Sequence, residues 1–106
     1  MLNRMRIEFL YFEGCPSWEN AYFNLIQVLK EEDIKAEVEM IKVTDGEHAE
    51  KVKFLGSPSI RINGEDIEGK FEEGYAMRCR IYQTPDGLNG WPSKDMIRKA
   101  VNNNSK

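Results

Sequence analysis

Residues 6–12 read Arg-Ile-Glu-Phe-Leu-Tyr-Phe, and the next six are Glu-Gly-Cys-Pro-Ser-Trp. The first segment alternates briefly and then turns wholly apolar, rich in β-branched and aromatic side chains, which is the pattern of a strand covered on both faces. From Pro16 the period changes. Trp18, Ala21, Tyr22, Leu25, Val28 and Leu29 recur at three and four, with Glu19, Gln27, Lys30 and Glu31 between them, which predicts an amphipathic helix of about four turns. A doubly buried strand running directly into such a helix requires a layered α/β arrangement.

The rest of the chain extends that pattern. Residues 35–43 alternate Ala36, Val38 and Met40 against Lys35, Glu37 and Glu39 and predict a second strand. Asp45-Gly46 opens a short helix through Ala49, Val52 and Phe54 that closes at Gly56. Asn63-Gly64 joins two short runs, 58–62 and 65–67, and predicts an antiparallel hairpin, because both central residues of a type I′ turn need positive φ. Residues 69–75 read as loop, residues 78–83 have strand character, and Pro85-Asp86-Gly87 reads as a turn. Ser93 supplies an N-cap, and Met96, Ile97, Ala100 and Val101 give a last helix one apolar face. The expected order is β-α-β-α-β-β-α: a mixed four-stranded sheet, open to extension, with helices on both faces. Its 106 residues make one domain with a core over about 6–101 and a frayed tail at 102–106.

Charge and cysteine usage narrow the function classes. Fifteen Lys and Arg against eighteen Asp and Glu give a net charge of -3, without the basic excess that would point to nucleic acid or an anionic membrane. No apolar run approaches the ~18 residues of a membrane span, and a cytoplasmic location is expected. Two cysteines, Cys15 and Cys79, and one histidine, His48, fall short of the usual four ligands of a structural zinc site, so no metal and no cofactor is expected. His48 and the charged run 47–53 read as a solvated helix face. Thiol chemistry remains. A thiol at the N-cap of the first helix, with Pro16 at the first helical position, faces unpaired backbone N–H groups and the positive end of the helix dipole, both of which favour thiolate. On the residues alone, each cysteine also has an inert reading as a packed core thiol.

Three features together carry a family resemblance: Phe12-Glu13-Gly14-Cys15-Pro16-Ser17-Trp18 between strand and helix, Gly56-Ser57-Pro58 before the third strand, and the Ile62-Asn63-Gly64-Glu65 hairpin. In their order and placement the chain resembles the thioredoxin and glutaredoxin superfamily over roughly residues 6–69 and the last helix. The resemblance implies a thioredoxin-like fold and thiol–disulfide oxidoreductase or monothiol transfer activity centred on Cys15. It also implies a cis Pro58 beside the cysteine and a Ser57 backbone free to pair with a substrate chain, with Pro16 and Trp18 completing the substrate-binding set. The implied partner is a thiol or disulfide, of a protein or of glutathione.

The departures from the family matter as much. The second cysteine of thioredoxins, three residues on, is here Trp18, which leaves Cys79 as the single candidate for a resolving thiol. After Ile67 the chain reads Glu68-Gly69-Lys70 where glutaredoxins carry a Gly-Gly pair that holds glutathione. In an extended 78–80 segment both arginines point one way and Cys79, with Ile81, the other. Tyr11, Phe12 and Trp18 are candidates for an apolar rim or for ordinary core. The alternative class is a non-enzymatic binder on the same fold: a soft-metal thiolate site made by Cys15 and Cys79, or a redox-silent interaction module.

Overall fold

The computed structural model describes residues 5–68, 75 and 77–104. Strand β1 (Met5–Tyr11) is central. It runs parallel to β2 (Ala36–Lys42) and antiparallel to β3 (Ser59–Ile62), which pairs in turn with the two-residue β4 (Glu65–Asp66), so the sheet order is β2-β1-β3-β4. Helices α1 (Trp18–Glu31) and α3 (Lys94–Asn104) cover one face and the short α2 (Gly46–Lys51) the other.

The burial of β1 follows from its sequence. Met5, Ile7 and Phe9 point into a core shared with Ala21, Leu25, Val28 and Leu29 of α1 and Ile97 and Val101 of α3. Leu10 points the other way, into a second cluster with Val43, Ala49 and Phe54. The doubly covered stretch is thus Phe9-Leu10, while Arg6 and Glu8 occupy the open end of the second face, where Glu8 pairs with Arg61 at 3.7 Å. Edge strand β2 leaves Met40 exposed at the place where alternation predicts burial.

The caps explain the element boundaries. The Asp45 side chain accepts from the His48 amide at 2.8 Å and starts α2. That helix stops at Lys51, short of Gly56, because Lys53 takes φ 59° and the Phe54 amide turns back to the Ala49 carbonyl at 2.8 Å. Asn63 and Gly64 both have positive φ, at 53° and 91°, as the hairpin requires. Ser93 Oγ accepts from the Met96 amide at 3.2 Å and caps α3, which continues through Asn104 where a frayed tail was expected. His48 bonds locally, its Nδ1 accepting from the Thr44 amide at 3.2 Å.

Two expectations need correction. The first helix begins at Trp18 with Ser17 as N-cap, so Cys15 lies before the cap and Pro16 outside the helix. A turn in which the Cys15 amide donates to the Phe12 carbonyl at 3.2 Å uses up those residues first. The element order is also longer than predicted. Between β4 and α3 the chain forms a separate hairpin of β5 (Tyr82–Thr84) and β6 (Gly87–Asn89). Strand β6 carries a single apolar residue, Leu88, which is exposed, so it has no hydrophobic alternation to announce it. The loop expected at 69–75 lies outside the described residues except for the exposed Tyr75.

Candidate functional site

Cys15 sits in the turn between β1 and α1, and its position follows from β1 being locked at the centre of the sheet. It is 1% exposed, and its Sγ donates to the Ser57 carbonyl oxygen at 3.5 Å. Ser57 is itself fully buried, and the peptide bond it forms with Pro58 is cis. Its hydroxyl accepts from the Phe12 amide at 3.3 Å, which ties the start of β3 to the end of β1 just before Cys15.

The backbone of Ser57 is fully used by its own chain. Its N–H donates to the Arg78 carbonyl at 2.7 Å, and its carbonyl accepts from the Arg80 amide at 2.8 Å, so Cys79 lies directly across a parallel bridge from Ser57. Gly56 makes this approach possible. It holds φ +119°, and a Cβ there would sit 3.2 Å from Arg80 Cβ and 3.3 Å from the Arg78 carbonyl oxygen, so a side chain would push the 78–80 segment away.

Residues 79–84 alternate outward and inward: Cys79, Ile81 and Gln83 are exposed, and Arg80, Tyr82 and Thr84 are buried. The inward side chains pin the segment. Arg80 makes a two-pronged pair with Asp66 at 2.7 and 2.6 Å, reaches Glu68 at 3.2 Å, and donates to Ser59 Oγ at 3.0 Å. The Arg80 and Asp66 side chains are 3% and 5% exposed, so this is a buried ion pair. Burial opposes the guanidinium charge, but Asp66, Tyr82 and Glu68 hold its pKa above the ordinary arginine value. The Arg80 guanidinium also lies 4.5 Å over the Tyr82 ring, and the Tyr82 hydroxyl donates to the Pro58 carbonyl at 2.6 Å. Burial raises the Tyr82 hydroxyl pKa far above its usual range.

The two thiols are neighbours at this bridge. The Cys79 pKa is pushed up to about 11, first by the neighbouring Cys15 thiol, then by loss of solvent, then by the Cys15 charge. The buried Cys15 S–H donates to the Ser57 carbonyl, and Cys79 stands exposed across the bridge from Ser57. Both cysteines are free thiols.

Cys15, Cys79, Ser57 and Pro58 are thus brought together, whereas Pro16 is exposed and Trp18 faces elsewhere. The Trp18 ring packs 4.4 Å from that of Tyr11 and 6.4 Å from that of Phe9, against the main core. Phe12 packs edge-on to Phe54 in the second cluster. Gly90, just beyond β6, lies against Ser17 so closely that a Cβ would run into its hydroxyl, so the inserted hairpin reaches the entrance of α1. Sequence reasoning placed Gly56 in the motif before the third strand without its role in admitting the 78–80 backbone, and it missed the roles of Asp66, Arg80 and Tyr82. The available signal was an arginine on the inward side of an alternating Cys-Arg-Ile-Tyr-Gln-Thr run, a position that demands a buried acidic partner.

Among the described residues, no group of three or more His, Cys, Asp or Glu side chains is placed to hold a metal ion, and no helix is long and apolar enough to cross a membrane. No protein-family model, curated protein or solved structure matches the chain.

Proposed function

We propose that the protein is a thiol–disulfide oxidoreductase of thioredoxin-like fold in which Cys15 and Cys79 form the redox pair. The observation that carries this reading is the convergence of the two cysteines, 64 positions apart in sequence, on Ser57: its carbonyl accepts from Cys15 Sγ and its backbone bridges to Cys79. The architecture supports it: a sheet ordered β2-β1-β3-β4, helices on both faces, and a cysteine at the β1–α1 junction facing a cis-proline strand start. The 77–91 region is then an addition to that fold, and it supplies the second thiol that Trp18 replaces in the local motif.

In the forward direction the reduced pair gives up two electrons to a disulfide. One protein thiolate attacks a substrate sulfur, the substrate S–S bond breaks, and the first product thiol leaves with a proton. The second protein thiol then attacks the protein sulfur of that mixed disulfide, forms the Cys15–Cys79 bond, and expels the second product thiol. A thiol reductant reverses both steps. The site takes thiols and disulfides as partners and needs no cofactor, and neither nucleic acid nor membrane enters the reading.

Peptide mapping after mild oxidation tests the proposal. The expected product joins the Cys15 and Cys79 peptides within one chain. Glutathione capping of Cys15 with Cys79 left free would replace the pair by monothiol transfer. Joint protection of both thiols by a soft metal ion, with no disulfide formed, would favour the binding class.

A further inference from the structure

Resting on the Cys15–Cys79 pair proposed above, the two cysteines differ in a way that assigns their roles. Cys79 is exposed and Cys15 is 1% exposed, so an approaching reagent meets the Cys79 sulfur first. The cover over Cys15 is not a loose flap. Both backbone groups of Ser57 bond to the covering segment, and Arg80 anchors that segment through the buried pair with Asp66.

Two consequences follow from this cover. A polypeptide substrate that docked as an added strand would need unpaired N–H and C=O groups beside the reacting sulfur, and those of Ser57 are spent on Arg78 and Arg80. Thiol–disulfide exchange is also an in-line displacement, with the attacking sulfur, the central sulfur and the leaving sulfur in a row. With Cys15 inside and Cys79 outside, that row runs from the interior through Cys79 to solvent, and the leaving thiol departs into water. The opposite order would place the substrate residue inside the protein.

We infer that Cys79 is the entry thiol, that Cys15 is the resolving thiol, and that the substrates are small thiols and disulfides rather than disulfides carried on extended polypeptide. Oxidation of the pair begins when the small thiolate fraction of Cys79, whose pKa is raised to about 11, attacks a small disulfide, so the rate of this step climbs with pH. The Cys79–substrate bond forms and one small thiol leaves with a proton. Cys15 then attacks the Cys79 sulfur from below, the internal disulfide forms, and the second small thiol leaves carrying the Cys15 proton. Reduction retraces the path. A small thiolate attacks the exposed Cys79 sulfur, Cys15 departs and is reprotonated, and a second small thiol releases Cys79.

The test uses the full chain with 2-hydroxyethyl disulfide as probe, under native conditions and by intact mass. C15S is expected to collect a stable adduct on Cys79 at least about tenfold faster than C79S collects one on Cys15, because access governs exchange when one sulfur is enclosed. Equal rates, a faster C79S, or no adduct on either variant would overturn the assignment. Reduced wild-type protein is expected to reduce one equivalent of this probe with the two electrons of its own thiols while leaving the disulfides of insulin intact, and comparable reduction of insulin would overturn the substrate class. Failure of the underlying pair reads differently: wild type would then retain a Cys79 adduct without forming the internal disulfide, whatever the ranking of the variants. Urea unfolding of C15S and C79S checks that each variant is folded.

Discussion

The sheet with its two long helices and the inserted 77–89 segment are held by different forces. In the first region Phe9, Leu25, Ile60 and Ile97 have no exposure at all, and the elements cohere by removing apolar surface from water. In the second the inward side chains are Arg80, Tyr82 and Thr84, secured by the Asp66 pair, the Pro58 carbonyl and the Gly87 carbonyl, while Ile81 and Leu88 are 66% and 72% exposed. Apolar packing tolerates approximate fits, whereas a buried ion pair is directional and fails when one partner is removed. Each region contributes one cysteine, so the proposed thiol pair depends on the polar region keeping its register on the apolar one.

The largest effect tests the apolar region. Phe9→Ala is expected to cost about 4 kcal/mol and to lower the urea midpoint of the whole chain, since the side chain is fully buried between α1 and the sheet. A loss below about 1 kcal/mol would mean that this core collapses around the gap.

Asp66→Asn tests the polar region and is expected to cost about 3 kcal/mol, because it replaces the two-pronged carboxylate of the buried Arg80 with a neutral amide and leaves the half-buried Glu68 at 3.2 Å to offset the charge. Its distinctive signature is local. Cys15 becomes easier to alkylate and the internal disulfide forms more slowly, while hydrogen exchange of β1 and β3 amides keeps its wild-type pattern. A cost as small as that of an exposed ion pair, with Cys15 still protected, would remove the contrast between the regions.

The smallest effect reports on the junction. In Cys15→Ala the neighbour that raises the Cys79 pKa is gone, so the alkylation midpoint of Cys79 should fall from about 11 toward its ordinary 9.0. The sign for stability follows by linkage. The folded protein holds this proton more tightly than the unfolded chain does, so the contribution is present below pH 9 and is lost as pH rises through about 11. The variant should lack that decline, and an unchanged midpoint would show that Cys15 does not set the Cys79 pKa.

Much of the first region was legible in the sequence for a physical reason. Burial on two faces of β1, the three-and-four spacing of α1 and α3, the Asp45 and Ser93 caps and the positive φ at Asn63-Gly64 are all local constraints, each satisfied within a few residues. The sequence by itself therefore determined the strands, the helices and the presence of a cysteine at the β1–α1 turn. Boundaries were less legible. The start of α1 shifted to Trp18 because a turn competed for Cys15 and Pro16, and β6 was silent because its pairing is carried by backbone groups that every residue shares.

What only the tertiary structure decided is the arrangement around the thiols. Nothing within a few residues of Cys79 points to Cys15. Cys79 comes to Ser57, the partner of Cys15, because Gly56 admits the 78–80 backbone, Ser57 pairs with it, and Arg80 reaches Asp66, fourteen positions back along the chain. Periodicity reports which way a side chain faces relative to its own element, and it correctly put Cys79 and Arg80 on opposite sides. It carries no information about which distant surface lies underneath, because that is set by the pairing of groups far apart in sequence, and only the folded chain brings those groups within hydrogen-bond reach.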